Sequence, residues 1–262
     1  MPLTARQYFT LRRLHSLTGI VPIGVFLCEH FFTNSFALQG AASYNQKVEF
    51  LKSLPYLYLI ELFGIAVPIL FHAILGLIIV LEAKFNSTRL PYARNHMFTW
   101  QRFTGVFLIA FIAYHVLTTR FGAWFGIDTG DMFKLMEHKM QTPALAVLYL
   151  VGVLAASFHF GNGLWGFALH WGIVTGRAAQ RAWSWAAVGV ALLFAVAGVN
   201  FWMAFHPFGL EGVTVFNEAE KAKVEAPAPA VPAAPQPQTQ PKSEQSAPAP
   251  AQQPAAGQTE TK

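Results

Sequence analysis

The sequence predicts an all-α integral membrane protein: five transmembrane helices, four forming a histidine-bearing bundle and one added, followed by a disordered C-terminal tail. Three observations predict it. Of 262 residues, 54% are hydrophobic and only 12% charged, about half the charge of a soluble domain. The apolar residues fall in blocks, and a block of about 20 spans a bilayer. Histidine, rare inside membranes, sits within four of those blocks.

The first block runs from Leu14 to Phe32, behind Arg12 and Arg13. Its apolar core continues past the length of a signal-peptide core, so it is read as a retained span. The others run from Tyr56 to Leu81, Phe98 to Leu117, Ala144 to His170 and Trp183 to Phe205. Pro22 and Pro68 fall inside these blocks, which a membrane bundle tolerates where neighbours satisfy the freed carbonyls. The transmembrane domain is placed at residues 1–210. Residues 211–262 form an Ala/Pro-rich tail whose composition cannot offset its ordering entropy.

Lys and Arg divide unequally between the two ends of the spans. Arg6, Arg12, Arg13, Lys84, Arg89, Arg94, Arg102, Arg177 and Arg181 stand on the N-terminal side; Lys47, Lys52, Arg120, Lys134 and Lys139 stand opposite. The bias predicts a cytoplasmic N-terminus, and an odd number of spans then places the C-terminus outside. The formal charge of +5 does not indicate nucleic acid, because the basic residues flank hydrophobic blocks and form no single patch. Cys28 is the only cysteine. That excludes an internal disulfide, a cysteine-ligated iron–sulfur cluster and a Cys-x-x-Cys-His haem attachment.

A two-helix unit is used twice. In the first span Thr18-Gly19 is followed by His30, and in the third Thr104-Gly105 is followed by His115. The second carries Phe71-His72 with Gly76-Leu77, the fourth Phe158-His159 with Gly163-Leu164. His30 and His72 are 42 residues apart, His115 and His159 44. At about 1.5 Å per residue, His30 and His115 lie about 6 and 8 Å from the far end of their spans, and His72 and His159 about 26 and 24 Å from it.

Ionisable groups within a span are costly and usually functional. Two imidazoles at one depth, on different helices, suit the two axial positions of a haem iron. The depths pair His30 with His115 and His72 with His159, for two haems; the competing role is hydrogen bonding to backbone or to each other. Gly76 and Gly163, four residues after a histidine, suit either a flat macrocycle or close helix contact. Arg13, Arg102 and His15, at the N-terminal ends of spans, are candidates for haem propionates or plain interfacial residues. His96, His138, His170 and His206 read as interfacial. Glu29 and Glu61 are proton-handling candidates by their position in or near spans.

The strings RRLHSLTGI (12–20), FHAILG (71–76), QRFTG (101–105) with AYH (113–115), and FHFGNGLWGF (158–167), in this order, resemble one family. They resemble the five-helix di-haem cytochrome b anchors of succinate:quinone oxidoreductases, in the Bacillus-like succinate dehydrogenase cytochrome b558 branch, and more distantly the di-haem fumarate reductase anchor. The resemblance covers about residues 6–206, and the tail has no counterpart in it. It implies a bacterial cytoplasmic membrane and two haems b, a distal one on His30 and His115 and a proximal one on His72 and His159. It implies a flavoprotein and an iron–sulfur subunit as partners and a quinone, menaquinone by the resemblance, as electron acceptor. Neither a flavin nor a dicarboxylate site is expected on this chain. A quinone site near the distal haem is expected to use Glu61 for protonation, with Glu49 and Glu29 as alternatives. The rivals are a di-haem cytochrome b of a hydrogenase or formate dehydrogenase, and a transporter, since internal repeats and midplane ionisable groups also mark transporters.

Overall fold

The computed structural model describes residues 4–83 and 88–206. Lys84, counted above, and the Ala/Pro-rich tail lie outside the described residues.

Among the described residues the chain is helical, with no strand, and five helices are long and apolar enough to cross a membrane. The first span begins at Ala5, where Thr4 and Gln7 form a reciprocal capping box. It is two helices, α1 (Ala5–Ile20) and α2 (Pro22–Ser35). Pro22 has no N–H to give and its ring crowds the preceding turn, so it stands at the start of α2 rather than inside one helix. The second span joins α4 (Leu57–Leu59), a wide-turn π-helical stretch (Ile60–Ala66) and α5 (Val67–Glu82). Pro68 sits in the first turn of α5, and the wide turns precede it. The third, fourth and fifth spans are α6 (Ala93–Thr118), α8 (Pro143–His170) and α9 (Arg177–Phe205). The spans end within a few residues of the predicted blocks, but α1, α6 and α9 start nine, five and six residues earlier, on polar turns that hydropathy alone does not count.

Helix α8 is the hub, packing on α1, α6 and α9. Helix α9 lies against α8 through small residues: a Cβ on Gly161 would stand 2.6 Å from Ala191 Cβ and 2.9 Å from the Ala187 carbonyl oxygen. The histidine-bearing spans also pair as α1 with α5 and α5 with α6. Large apolar side chains such as Leu70, Leu81, Leu192 and Val196 point away from the bundle and are exposed, as a lipid-facing surface requires.

At the near end, the side of the N-terminus, the Tyr8 hydroxyl donates to Glu82 at 2.5 Å and ties the start of α1 to the end of α5. The far end carries a cap that the sequence does not predict, made by α3 (Ala41–Lys52) and α7 (Met132–Gln141). Asn45 joins them: its amide donates to Asp131 at 2.8 Å, and its carbonyl accepts from the Phe133 backbone at 3.0 Å. Asp131 in turn caps α7 by accepting from the Lys134 N–H at 2.9 Å. That hydrogen bond, with the one from Asn45, holds the Asp131 carboxyl below its ordinary range. Beneath the cap lies a buried cluster of Tyr44, Met136, Met140, Ala146, Tyr149 and Phe205.

Candidate functional site

Four histidines meet in two pairs. His72 on α5 faces His159 on α8, with ring centroids 6.3 Å apart and ring planes at 79°. His30 on α2 faces His115 on α6, at 5.8 Å and again 79°. His30 lies eleven residues beyond Gly19 and His115 ten beyond Gly105, about 15 Å along either helix axis. Gly19 and Gly105 mark the level of the near pair, since a Cβ on either would press the ring of His72 (2.7 Å) or His159 (2.9 Å). The two pairs therefore occupy two depths.

The near pair is oriented by backbone. His72 Nδ1 lies 2.9 Å from the His15 carbonyl oxygen and His159 Nδ1 lies 3.1 Å from that of Gln101. A carbonyl only accepts, so both Nδ1 atoms carry the proton and each neutral ring keeps Nε2 as a free lone pair. Thr18 and Thr104 bond back to these same two carbonyls. The repeat is thus reproduced down to single hydrogen bonds, with His15 and Gln101 in equivalent places. Gly76 meets the His15 ring and Gly163 the Gln101 side chain, so these two glycines seat a neighbouring helix.

That register also separates two arginines that the sequence places together. With His15 opposite Gln101, Arg102 matches Ser16, and Arg13 matches Thr99. Arg13 stacks over Trp171 at 4.3 Å. His15 is stacked on His72 at 3.9 Å. Buried polar atoms without a partner among the described residues are Arg13 Nε, His15 Nδ1 and Trp165 Nε1. Trp165, part of the FHFGNGLWGF string but not among the candidate site residues, lies under Arg94 at 3.7 Å. Of the remaining histidines, His96 lies in the first turn of α6, His138 in α7, and His170 and His206 at helix ends.

In the far pair, His115 is held by a side chain. His115 Nδ1 lies 3.4 Å from the Tyr149 hydroxyl. Tyr149 accepts from Lys139 Nζ at 3.1 Å, and Lys139 also donates to the Thr118 carbonyl (3.1 Å) and hydroxyl (2.7 Å). Glu61, in the wide-turn stretch, is not alone: Arg120 Nε and Nη2 donate to its two oxygens at 2.7 and 2.8 Å. The hydrogen bond to Glu61 holds the Arg120 guanidinium above its ordinary range, against partial burial. Glu29 accepts from Thr33 at 2.6 Å, and Glu49 is paired with Lys52 at 2.7 Å.

No three His, Cys, Asp or Glu converge to hold a bare metal ion among the described residues. The donor set is instead two imidazoles per site. An iron between two imidazoles, with metal–nitrogen bonds of about 2 Å, sets ring centroids about 6 Å apart, the spacing seen twice. The donor set and the spacing fit haem.

No family model matches the chain. It is 37% identical over 203 residues to the succinate dehydrogenase cytochrome b558 subunit of Bacillus subtilis (strain 168), covering 78% of this chain and 100% of that protein. The chain belongs to the succinate dehydrogenase cytochrome b558 subunit family. As a member of that family it is a multi-pass membrane subunit of an enzyme complex and a cytochrome b, a class defined by haem b. That relative is matched from end to end by part of this chain.

Proposed function

We propose that the chain is the electron-carrying anchor of a succinate:quinone oxidoreductase, with two haems b between an iron–sulfur subunit and a quinone, taken as menaquinone. The observation that carries the reading is the pair of pairs: His72 with His159 and His30 with His115, each about one iron apart, at two depths. When bound, each haem supplies a one-electron couple that the protein itself lacks.

The residues do the rest. His72 and His159 present Nε2 to the proximal iron, and their Nδ1–H groups, given to the His15 and Gln101 carbonyls, lock the tautomer and raise ligand basicity. His30 and His115 are the corresponding ligands for the distal iron. Gly19 and Gly105 leave the rings room. Arg13, His15 and Arg102 are assigned to propionates; the unpartnered Nε of Arg13 and Nδ1 of His15 support this, and Trp165 Nε1 joins them. The near end faces the cytoplasm and the flavoprotein and iron–sulfur subunits, supported by the Lys/Arg bias; the C-terminus is then outside.

At the far end Glu61 is assigned to proton delivery to quinone. The stretch Ile60–Ala66 packs on α2, the helix of His30, and Arg120 follows His115 by five residues. A carboxylate held bidentately by a half-exposed arginine is positioned at the boundary between water and bundle. With protons taken up at the far side, electrons cross most of the membrane to meet them, coupling the reaction to membrane potential at about 2.3 kcal/mol per charge per 100 mV.

The test is a haem count on the complex purified from native membranes, with a reduced-minus-oxidised spectrum. Two b-type haems per chain, with flavoprotein and iron–sulfur subunits co-purifying, are expected. His72→Ala or His159→Ala removes the proximal haem, and His30→Ala or His115→Ala the distal one. One haem or none on the wild-type chain overturns the reading, and a hydrogenase or formate dehydrogenase partner redirects it.

A further inference from the structure

Lys139 is a buried cation with no matching anion. Its residue exposure is 5%, and among the described residues no carboxylate lies within salt-bridge reach of it. Burial brings its ammonium down to about 8. A long, costly side chain is held there by three hydrogen bonds, to the Thr118 carbonyl, the Thr118 hydroxyl and Tyr149. The first two satisfy the end of α6. The third leads to His115 through the Tyr149 oxygen. Among the described residues no cation reaches the acceptors of the near pair, where His72 and His159 give their Nδ1 protons to neutral carbonyls and the Thr104 hydroxyl also lies 3.2 Å from His159 Nδ1.

We infer that Lys139, acting through Tyr149, is a positioning residue that raises the reduction potential of the haem held by His30 and His115. The inference rests on the proposed haem at that pair. Two effects carry it, and they have the same sign. With Nε2 committed to iron, His115 Nδ1–H donates to the Tyr149 oxygen. Lys139 donates to that same oxygen and draws on its lone pairs, so Tyr149 is a weaker acceptor. The His115 ring then gains less imidazolate character and stabilises the oxidised iron less. The lysine's charge also sits in a low-dielectric cap, where it favours the less positive, reduced centre. Tyr149 contacts the ligand and sets its orientation; Lys139 sets how strongly Tyr149 accepts.

The experiment is a redox titration of the intact complex, with haem content measured in parallel. The distal component is identified as the one lost in His30→Ala. Lys139→Gln keeps a hydrogen-bond donor and removes the charge. It is expected to lower the distal potential by at least a tenfold shift in the reduction equilibrium, about 59 mV for one electron, and to leave the proximal potential in place. Lys139→Arg is expected to hold the distal potential near wild type. Tyr149→Phe keeps the ring and removes the acceptor, and is expected to move the distal potential upward, opposite to Lys139→Gln. A purely structural role would loosen the cap and move both variants the same way. Two haems with an unmoved distal potential in Lys139→Gln, or same-sign shifts in Lys139→Gln and Tyr149→Phe, overturn the inference alone. If Lys139→Gln fails to assemble, an unmoved distal potential in Lys139→Arg with an upward shift in Tyr149→Phe supports the inference, and a downward or absent shift in Tyr149→Phe overturns it. A wild-type chain with one haem removes the underlying reading, and the inference with it.

Discussion

The two ends of the bundle solve one problem with different materials. At the near end both rings of His72 and His159 are held by main-chain carbonyls, with two glycines that let the rings approach, and the Thr104 hydroxyl adds a side-chain contact to His159 alone. At the far end His115 is held by a side chain, Tyr149, which is itself held by Lys139 from a helix outside the membrane spans. Main-chain acceptors belong to the helix and are inherited with it, so the near end keeps the symmetry of the repeat. Side-chain acceptors are free to differ, and at the far end the symmetry is gone. The repeat therefore sets where the ligands stand, while the local surroundings are set separately at each depth.

The largest effect is expected from the main-chain end. Gly19→Val and Gly105→Val place branched carbons where a single Cβ already stands within 3 Å of a ligand ring. Each should cost the proximal haem entirely, taking the count from two to one, and the two variants should match. Loss of the distal haem instead, or a large difference between the variants, would break the symmetry assigned to the near end. Next comes the far end alone. Glu61→Gln should keep both haems and lower quinone reduction by about a hundredfold, in the range of a lost proton carrier, while succinate oxidation with a soluble dye acceptor persists. Unchanged quinone activity would leave Glu61 as a structural partner of Arg120. The smallest effect is expected from His15→Gln, which gives the first span the residue that the third span carries at the equivalent position. Its carbonyl stays in place for His72, so two haems should remain and stability should change by about 1 kcal/mol. A lost haem would make the His15 ring itself essential to the near site.

Hydropathy made the five spans legible, because a run of about 20 apolar residues matches the thickness of a bilayer and exceeds what a soluble core needs. The histidine pairs were legible for a related reason: imidazole is rare at such depths, and rise per residue converts position into depth. The cap was not. Helices α3 and α7 are short and polar on one face, and a 12-residue stretch such as Ala41–Lys52 between two spans reads as loop. The retrievable signal was the spacing of Phe133, Met136 and Met140 behind the capping Asp131, a helical stripe of apolar residues. The His15 stack on His72 was hidden because Arg12 and Arg13 beside it draw the residue towards the interface, whereas α1 starts early enough to carry it inside. Glu61 looked solitary because its partner Arg120 lies 59 positions away in the chain.

The wide turns at Ile60–Ala66 act as a phase adjuster in the second span. Each ordinary helical residue advances by about 100° around the axis, and a π turn takes up an extra residue without lengthening the span to match. The face that carries His72 and the face that carries Glu61 are thereby set independently. One aims at α8, the other at Arg120 beyond the end of α6. Wound at normal pitch with all its residues kept, this stretch would swing Glu61 about 100° away from Arg120, with every apolar residue still correctly apolar. The span would still insert in the bilayer, but its two ends would no longer be in step.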